Sequence, residues 1–166
     1  MVPIWNVMLH AIAFEGGRYV FGKENDRLIE RVRAGLERII GPSSSTDCSE
    51  LVENACRLAG VVPSMPDGSW YQFQHCHRQR TVVDIATGMG SYGRLLFRFD
   101  GDPMQASRPR SAHVALSLGD GTTFEARGSR FLVGIHPVEG RGWTHAAEIP
   151  GVDYSVFPRN MWMGRR

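Results

Sequence analysis

Apolar residues recur along this chain at two different periods. In the first third they return every three or four positions, and in the second half they alternate. Trp5, Met8, Leu9 and Ile12 stand at helical spacing, which predicts a first helix over about Ile4 to Phe14, ended by Gly16-Gly17. "RYVFG" follows as a short extended piece. Asn25 or Asp26 can cap a second helix. Leu28, Val32, Leu36, Ile39 and Ile40 form its apolar stripe, and Arg27, Glu30, Arg31, Arg33, Glu37 and Arg38 fill its wet side. Gly41-Pro42 stops it. A third helix starts near Asp47, with Leu51, Val52, Ala55, Leu58 and Ala59 on its apolar face and Gly60 as its stop. Glu50, three residues past Asp47, completes a capping-box pattern. Val61 to Ser69, with Pro63, Pro66, Asp67 and Gly68, reads as loop, and a short helix is expected around Val82 to Thr87.

The second half reads as strands: "RLLFRF" (Arg94–Phe99), "HVALSL" (His113–Leu118), "TTFEAR" (Thr122–Arg127), "FLVGIHPV" (Phe131–Val138) and a closing "VDYSVF" (Val152–Phe157). Gly119-Asp120-Gly121 is a hairpin turn signal. Helices first and antiparallel strands afterwards argue an α+β fold, and 166 residues are most simply one domain over 1–166.

Composition narrows the picture. With 42% hydrophobic and 22% charged residues the chain is an ordinary globular sequence. A net charge of +2 leaves no large basic field to draw nucleic acid, and no apolar run approaches a membrane span. Lys23 is the only lysine among the basic residues. The apolar N-terminus lacks a basic leading segment, so it reads as a packed helix rather than a signal peptide. Three cysteines, Cys48, Cys56 and Cys76, make no even disulfide framework.

Cys48 stands apart. "TDCSELVENACRLAG" puts it between Asp47 and Ser49, at the expected start of the third helix. Unpaired N–H groups and the positive end of the helix dipole there favour an anionic sulfur and can hold an oxyanion. Three and four residues before Leu51 and Val52, Cys48 shares the inward face. Cys56, mid-helix among apolar neighbours, reads as a buried filler.

A nucleophile needs a base, and six histidines compete. His113 opens an alternating strand, sharing a face with Ala115 and Ser117 opposite the apolar Val114, Leu116 and Leu118. A three-residue loop at Gly119-Asp120-Gly121 sets Leu118 opposite Thr122, Ala115 opposite Glu125 and His113 opposite Arg127. Glu125 then lies diagonal to His113 on the same face. A two-residue loop would turn the carboxylate onto the apolar face, at a large desolvation cost. The better register offers nucleophile, base and orienter.

These residues resemble the NlpC/P60 cysteine peptidases. "DCSELV" is similar to the family's DCSG-hydrophobic motif, and "HVALSLGDGTTFEARG" to its second motif. "RYVFG" is similar to its tyrosine–glycine segment and "GRLLFRF" to a family strand, so the match runs from about Arg18 to Arg127. The resemblance implies a papain-like α+β fold and hydrolysis of an amide bond in peptidoglycan stem peptides, usually between D-γ-glutamate and a diamino acid. It implies that Cys48 is the nucleophile, His113 the base and Glu125 the third member, with Tyr19, Asp47 and Ser49 around the substrate. Glu50 replaces the motif's usual glycine, Arg94 a common aspartate, and Glu125 the more frequent histidine. "EARG" is closer to the peptidase domains of phage lysins.

Other readings stand beside it. A non-catalytic relative, such as a phage tail component, would keep the fold, and an acyltransferase would use the same thiol chemistry. The thiol chemistry calls for no cofactor or metal. "QHCHRQ" offers His75, Cys76 and His77, but as a polar loop or edge strand it would not converge them on an ion. Trp70, Tyr71, Phe73, Tyr154, Phe157 and Trp162 read as packing rather than as substrate platforms. A leaderless wall hydrolase would need another route outward, in a virion or with a wall-binding partner.

Overall fold

The computed structural model describes residues 1–19 and 45–155. The second helix expected from the sequence, together with Phe157 and Trp162, lies outside them. In chain order the elements are β1 (Val2–Pro3), α1 (Ile4–Ile12), β2 (Arg18–Tyr19), β3 (Ser45–Thr46), α2 (Cys48–Ala59), α3 (Ser69–Arg78), β4 (Val82–Val83) and α4 (Ile85–Met89). Six strands follow: β5 (Leu95–Phe99), β6 (Ala112–Ser117), β7 (Thr122–Ala126), β8 (Val133–Pro137), β9 (His145–Ala147) and β10 (Val152–Asp153). The arrangement is α+β and papain-like, with helices packed on an antiparallel sheet of order β4-β9-β5-β6-β7-β8.

Helix α2 begins where its chemistry dictates. Asp47 is extended and its Oδ1 accepts from the N–H groups of Ser49 and Glu50, both at 2.9 Å, while Glu50 Oε2 accepts from the Asp47 N–H at 3.3 Å. This is the expected capping box. Gly60 ends the helix in the left-handed conformation, φ 76°. The helix buries Cys48, Leu51, Val52, Ala55 and Cys56 against α1 and the sheet. Burying Leu51 and Val52 contributes roughly 1.5–3 kcal/mol each. A cap is worth about 1 kcal/mol. Packing therefore holds the helix in place, and the cap decides where it starts.

The main core joins Val7, Met8 and Phe14, the α2 face, and Leu95, Phe97, Leu116 and Phe124 of the sheet. The opposite sheet face carries a smaller cluster of Leu96, Ala115, Trp143 and Ala146. The β6–β7 hairpin has the expected register: Leu116 faces Phe124, Ser117 faces Thr123, and the Leu118 N–H donates to Thr122 O at 2.9 Å. Gly16 and Gly17 bond the backbone of Val133, and β2 then pairs in parallel with β3, setting Tyr19 beside Thr46, two residues ahead of Cys48.

Several elements differ from the sequence reading. "QHCHR" is helical, within α3, because Trp70, Phe73 and Cys76 recur at helical spacing and all three are buried. His75, Cys76 and His77 therefore radiate from a helix. Among the described residues no cluster of three or more His, Cys, Asp or Glu is placed to hold a metal ion. Val82 and Val83, expected in a helix, are β-branched and pair with β9, and Asp84 then caps α4. Strand β9, "HAA", has no alternating signal and was not expected. Strand β10 does not close the main sheet but pairs in parallel with β1. Trp70 and Phe73 are buried, Tyr71 is exposed, and the Tyr154 hydroxyl bonds Ile149 N and Gly93 O. Among the described residues no helix is long and apolar enough to cross a membrane.

Asp47→Ala removes the acceptor of two helix N–H groups and should cost about 1–2 kcal/mol in urea unfolding, with Asp47→Ser recovering most of it. Equal stability of all three proteins would show that the cap is idle.

Candidate active site

Cys48 is the first residue of α2 and is almost fully buried. Ser49 Oγ lies 2.9 Å from Asp47 Oδ1 and 3.3 Å from Asp67 Oδ1. Gln72 Nε2 donates to Ser49 O at 2.8 Å and Pro66 O at 2.9 Å, tying the helix start to the loop before α3. Asp47 and Ser49, expected around the substrate, are thus engaged in building the helix start. The cap also changes the expected oxyanion donors. The N–H groups of Ser49 and Glu50 go to Asp47, which leaves the Cys48 N–H as the first-turn donor not bonded to that residue.

His113 lies on β6, opposite Arg98 of β5. Its Nε2 is 2.5 Å from Glu125 Oε2. The Cys48 side chain hydrogen-bonds the same imidazole, and with Nε2 taken, Nδ1 is the nitrogen left for sulfur. The structure therefore brings Cys48, His113 and Glu125 together through a buried ring. Tyr19 is placed by backbone pairing two residues from the helix start.

Three further residues complete the cluster, and the pattern reading did not reach them. Thr123 Oγ1 donates to Glu125 Oε1 at 2.6 Å. Arg141 forks onto the carboxylate, Nη1 to Oε1 at 2.7 Å and Nη2 to Oε2 at 2.8 Å. Trp143 stacks on His113 with ring centroids 5.8 Å apart, and the Arg141 guanidinium lies 5.2 Å from the Trp143 ring centroid. Thr123 was accessible to alternation, two residues before Glu125 on one strand face. "GRGW" offered the only sequence hint of Arg141, an arginine between two glycines.

Electrostatics follow from this wiring. Glu125 is 0% exposed, and burial alone would raise its pKa. Hydrogen bonds from His113 and Arg141, the His113 charge and Thr123 outweigh burial and bring it from 4.5 down to about 2. Burial pulls His113 downward, but hydrogen bonds to Cys48 and Glu125 and the negative charge of both raise it from 6.5 to about 9. Burial pushes the Cys56 thiol far up and the Cys76 thiol up to about 12. A cysteine at a helix start, an imidazole that holds a proton beside it and an ionised carboxylate on the far nitrogen make a nucleophile-generating site.

The comparisons bear on the fold. No family model and no curated protein matches the sequence. Solved structures do. The peptidoglycan hydrolase RipB of Mycobacterium tuberculosis is 28% identical, with a TM-score of 0.58 over 88% of this chain and 64% of that one. The NlpC/p60 domain of the peptidoglycan hydrolase SagA is 20% identical, with a TM-score of 0.60 over 89% of this chain and 99% of that one. The chain has the NlpC/P60 fold. RipD of M. tuberculosis, described as a non-catalytic NlpC/p60 domain protein adapted to peptidoglycan binding, is 21% identical, with a TM-score of 0.58 over 88% of this chain and 96% of that one.

The paired shifts give the protein a defined pH response. Glu125 stabilises the fold fully above 4.5, and that contribution is lost as pH falls through about 2. His113 stabilises it fully below 6.5, and that contribution is lost as pH rises through about 9. Both are complete between 4.5 and 6.5. Glu125→Gln should lower stability in that window by about 3 kcal/mol or more, because Arg141 loses its buried anion. The parent-minus-variant difference in thermal midpoint should shrink on both sides of the window. A difference independent of pH from 2 to 10 would contradict the assigned protonation states.

Proposed function

We propose that this NlpC/P60 domain hydrolyses an amide bond in peptidoglycan stem peptides, the D-γ-glutamyl–diamino acid bond, with Cys48 as nucleophile, His113 as base and Glu125 as orienter. The observation that carries the reading is one buried imidazole bonded to a helix-start cysteine on one side and to an ionised glutamate on the other. The descriptions of RipB and SagA as peptidoglycan hydrolases support the substrate class.

In this reading the proton of the Cys48–His113 pair rests on the imidazole, and the sulfur attacks the scissile carbonyl carbon, forming a tetrahedral oxyanion. The imidazolium returns the proton to the departing amine as the C–N bond breaks, leaving a thioester. Water, deprotonated by His113, then attacks the thioester carbonyl and releases the acid and the thiol. Glu125 holds the ring and supports its positive charge throughout. Tyr19, Asp47 and Ser49 border the scissile bond, the last two through the helix start they build. The similarity to RipD favours one second reading, a wall-binding domain without turnover.

Purified cell walls with different stem peptides, digested and analysed by mass, separate these readings. The parent should release fragments cut at one amide bond, with activity retained in EDTA and abolished by iodoacetamide. Cys48→Ala should release none, with a nearly unchanged thermal midpoint. Glu125→Gln should retain a small fraction of the turnover, with Glu125→Ala lower still. Wall binding without fragments would establish the RipD-like reading, and full activity of Cys48→Ala would sink the thiol mechanism.

A further inference from the structure

We propose that Arg141 is the positioning residue of this site: its guanidinium fork fixes the plane of the Glu125 carboxylate and so aims His113 at Cys48. This deepens the proposed hydrolase and rests on that reading.

The geometry leaves the carboxylate little freedom. Oε2 is shared between His113 Nε2 and Arg141 Nη2, and Oε1 between Arg141 Nη1 and Thr123 Oγ1. Turning the carboxylate about its own axis would break both guanidinium bonds at once. Thr123, with one bond to Oε1, resists that rotation at one oxygen only. The fork needs the planar, two-pronged donor set of arginine, which a lysine ammonium lacks.

Arg141 is itself held. It lies in the turn between β8 and β9, flanked by Gly140 at φ 70° and Gly142 at φ 64°, backbone that favours glycine. Its guanidinium lies over Trp143, and Trp143 stacks on His113. Arg141, Glu125, His113 and Trp143 thus form a closed ring of contacts. The Arg141 side chain is 9% exposed, so little water competes for the fork.

The charge matters as well as the shape. His113 is faced by Cys48 from α2, Glu125 from β7 and Arg98 from β5. Glu125 is also near His136 of β8, and His136 in turn feels Arg127 and Arg141. Removing the Arg141 cation makes proton loss harder for every acid in the cluster. Both limbs of a pH profile that depends on the Cys48–His113 pair then move upward. Lysine keeps the charge and loses the fork, so it separates the two effects.

The test compares Arg141→Met and Arg141→Lys with the parent. Turnover is measured on a soluble stem peptide across pH. The rate of iodoacetamide labelling at Cys48, located by peptide mass, is measured across the same range and needs no substrate. Arg141→Met should lower kcat about 10- to 100-fold with KM little changed. Its labelling profile should move up by about one pH unit. Arg141→Lys should lower kcat while leaving the labelling profile near the parent's. Parent-like kcat and labelling in a folded Arg141→Met overturns the proposal, as does loss of activity in both variants through a lower thermal midpoint alone, with pH limbs unmoved. If Arg141→Met does not fold, Arg141→Lys decides: parent-like kcat overturns the proposal, as does a kcat lowered only in step with the thermal midpoint, and lowered kcat with an unmoved labelling profile and a parent-like thermal midpoint upholds it. A parent that cleaves no stem peptide refutes the hydrolase reading, whereas the labelling profiles still decide whether Arg141 organises the pair.

Discussion

A carboxylate without access to water governs this structure. Glu125 is fully buried, and a lone buried charge would cost several kcal/mol. It is ionised only because His113, Arg141 and Thr123 all direct donors at it. Each donor comes from a different constraint: His113 from the neighbouring strand, Thr123 from the same strand face, Arg141 from a turn after β8. Take any one away and the other contacts change their meaning. Without an anion on Nε2, the imidazole would respond to its own burial and lose its proton more easily.

The fold delivers these groups through two short-range rules. Strand alternation places Thr123 and Glu125 on one face of β7, and the hairpin register brings that face level with His113. A one-residue slip would turn Glu125 into the apolar core against Phe97 and Leu116. On the other side of the imidazole, Asp47 ends the extended segment and starts α2 at Cys48. Hydrophobic burial of Leu51, Val52 and Ala55 then seats the helix so that its first residue meets the start of β6. Glu50, an unusual residue for its position in the motif, serves as the reciprocal member of the capping box.

Much of this site was legible locally. The cap, the helix face, the alternating strands and the three-residue hairpin loop are all written within a few residues of where they act, and each follows from a period or a turn preference. The errors came where local signals were weak or ambiguous. Aromatic and histidine-rich "SWYQFQHCHR" hid a helix whose buried positions recur at three-residue spacing. The two valines of β4 gained their partners from β9, a strand too short to show alternation.

By itself the sequence determined where α2 starts, which face of β7 carries Glu125 and which cysteine stands at a helix start. Those are consequences of backbone geometry over a few bonds, where residue type and spacing suffice. Only the tertiary structure decided what neutralises Glu125. Arg141 lies 16 residues further along, beyond another strand, and no periodicity links the two. Its arrival depends on the path of the chain around the sheet and on a turn whose glycines accept left-handed backbone. The same holds for Trp143, which covers His113, and for β9, which enters the sheet between β4 and β5. Partners of a buried charge are chosen by desolvation across the whole fold, and that quantity has no local signature.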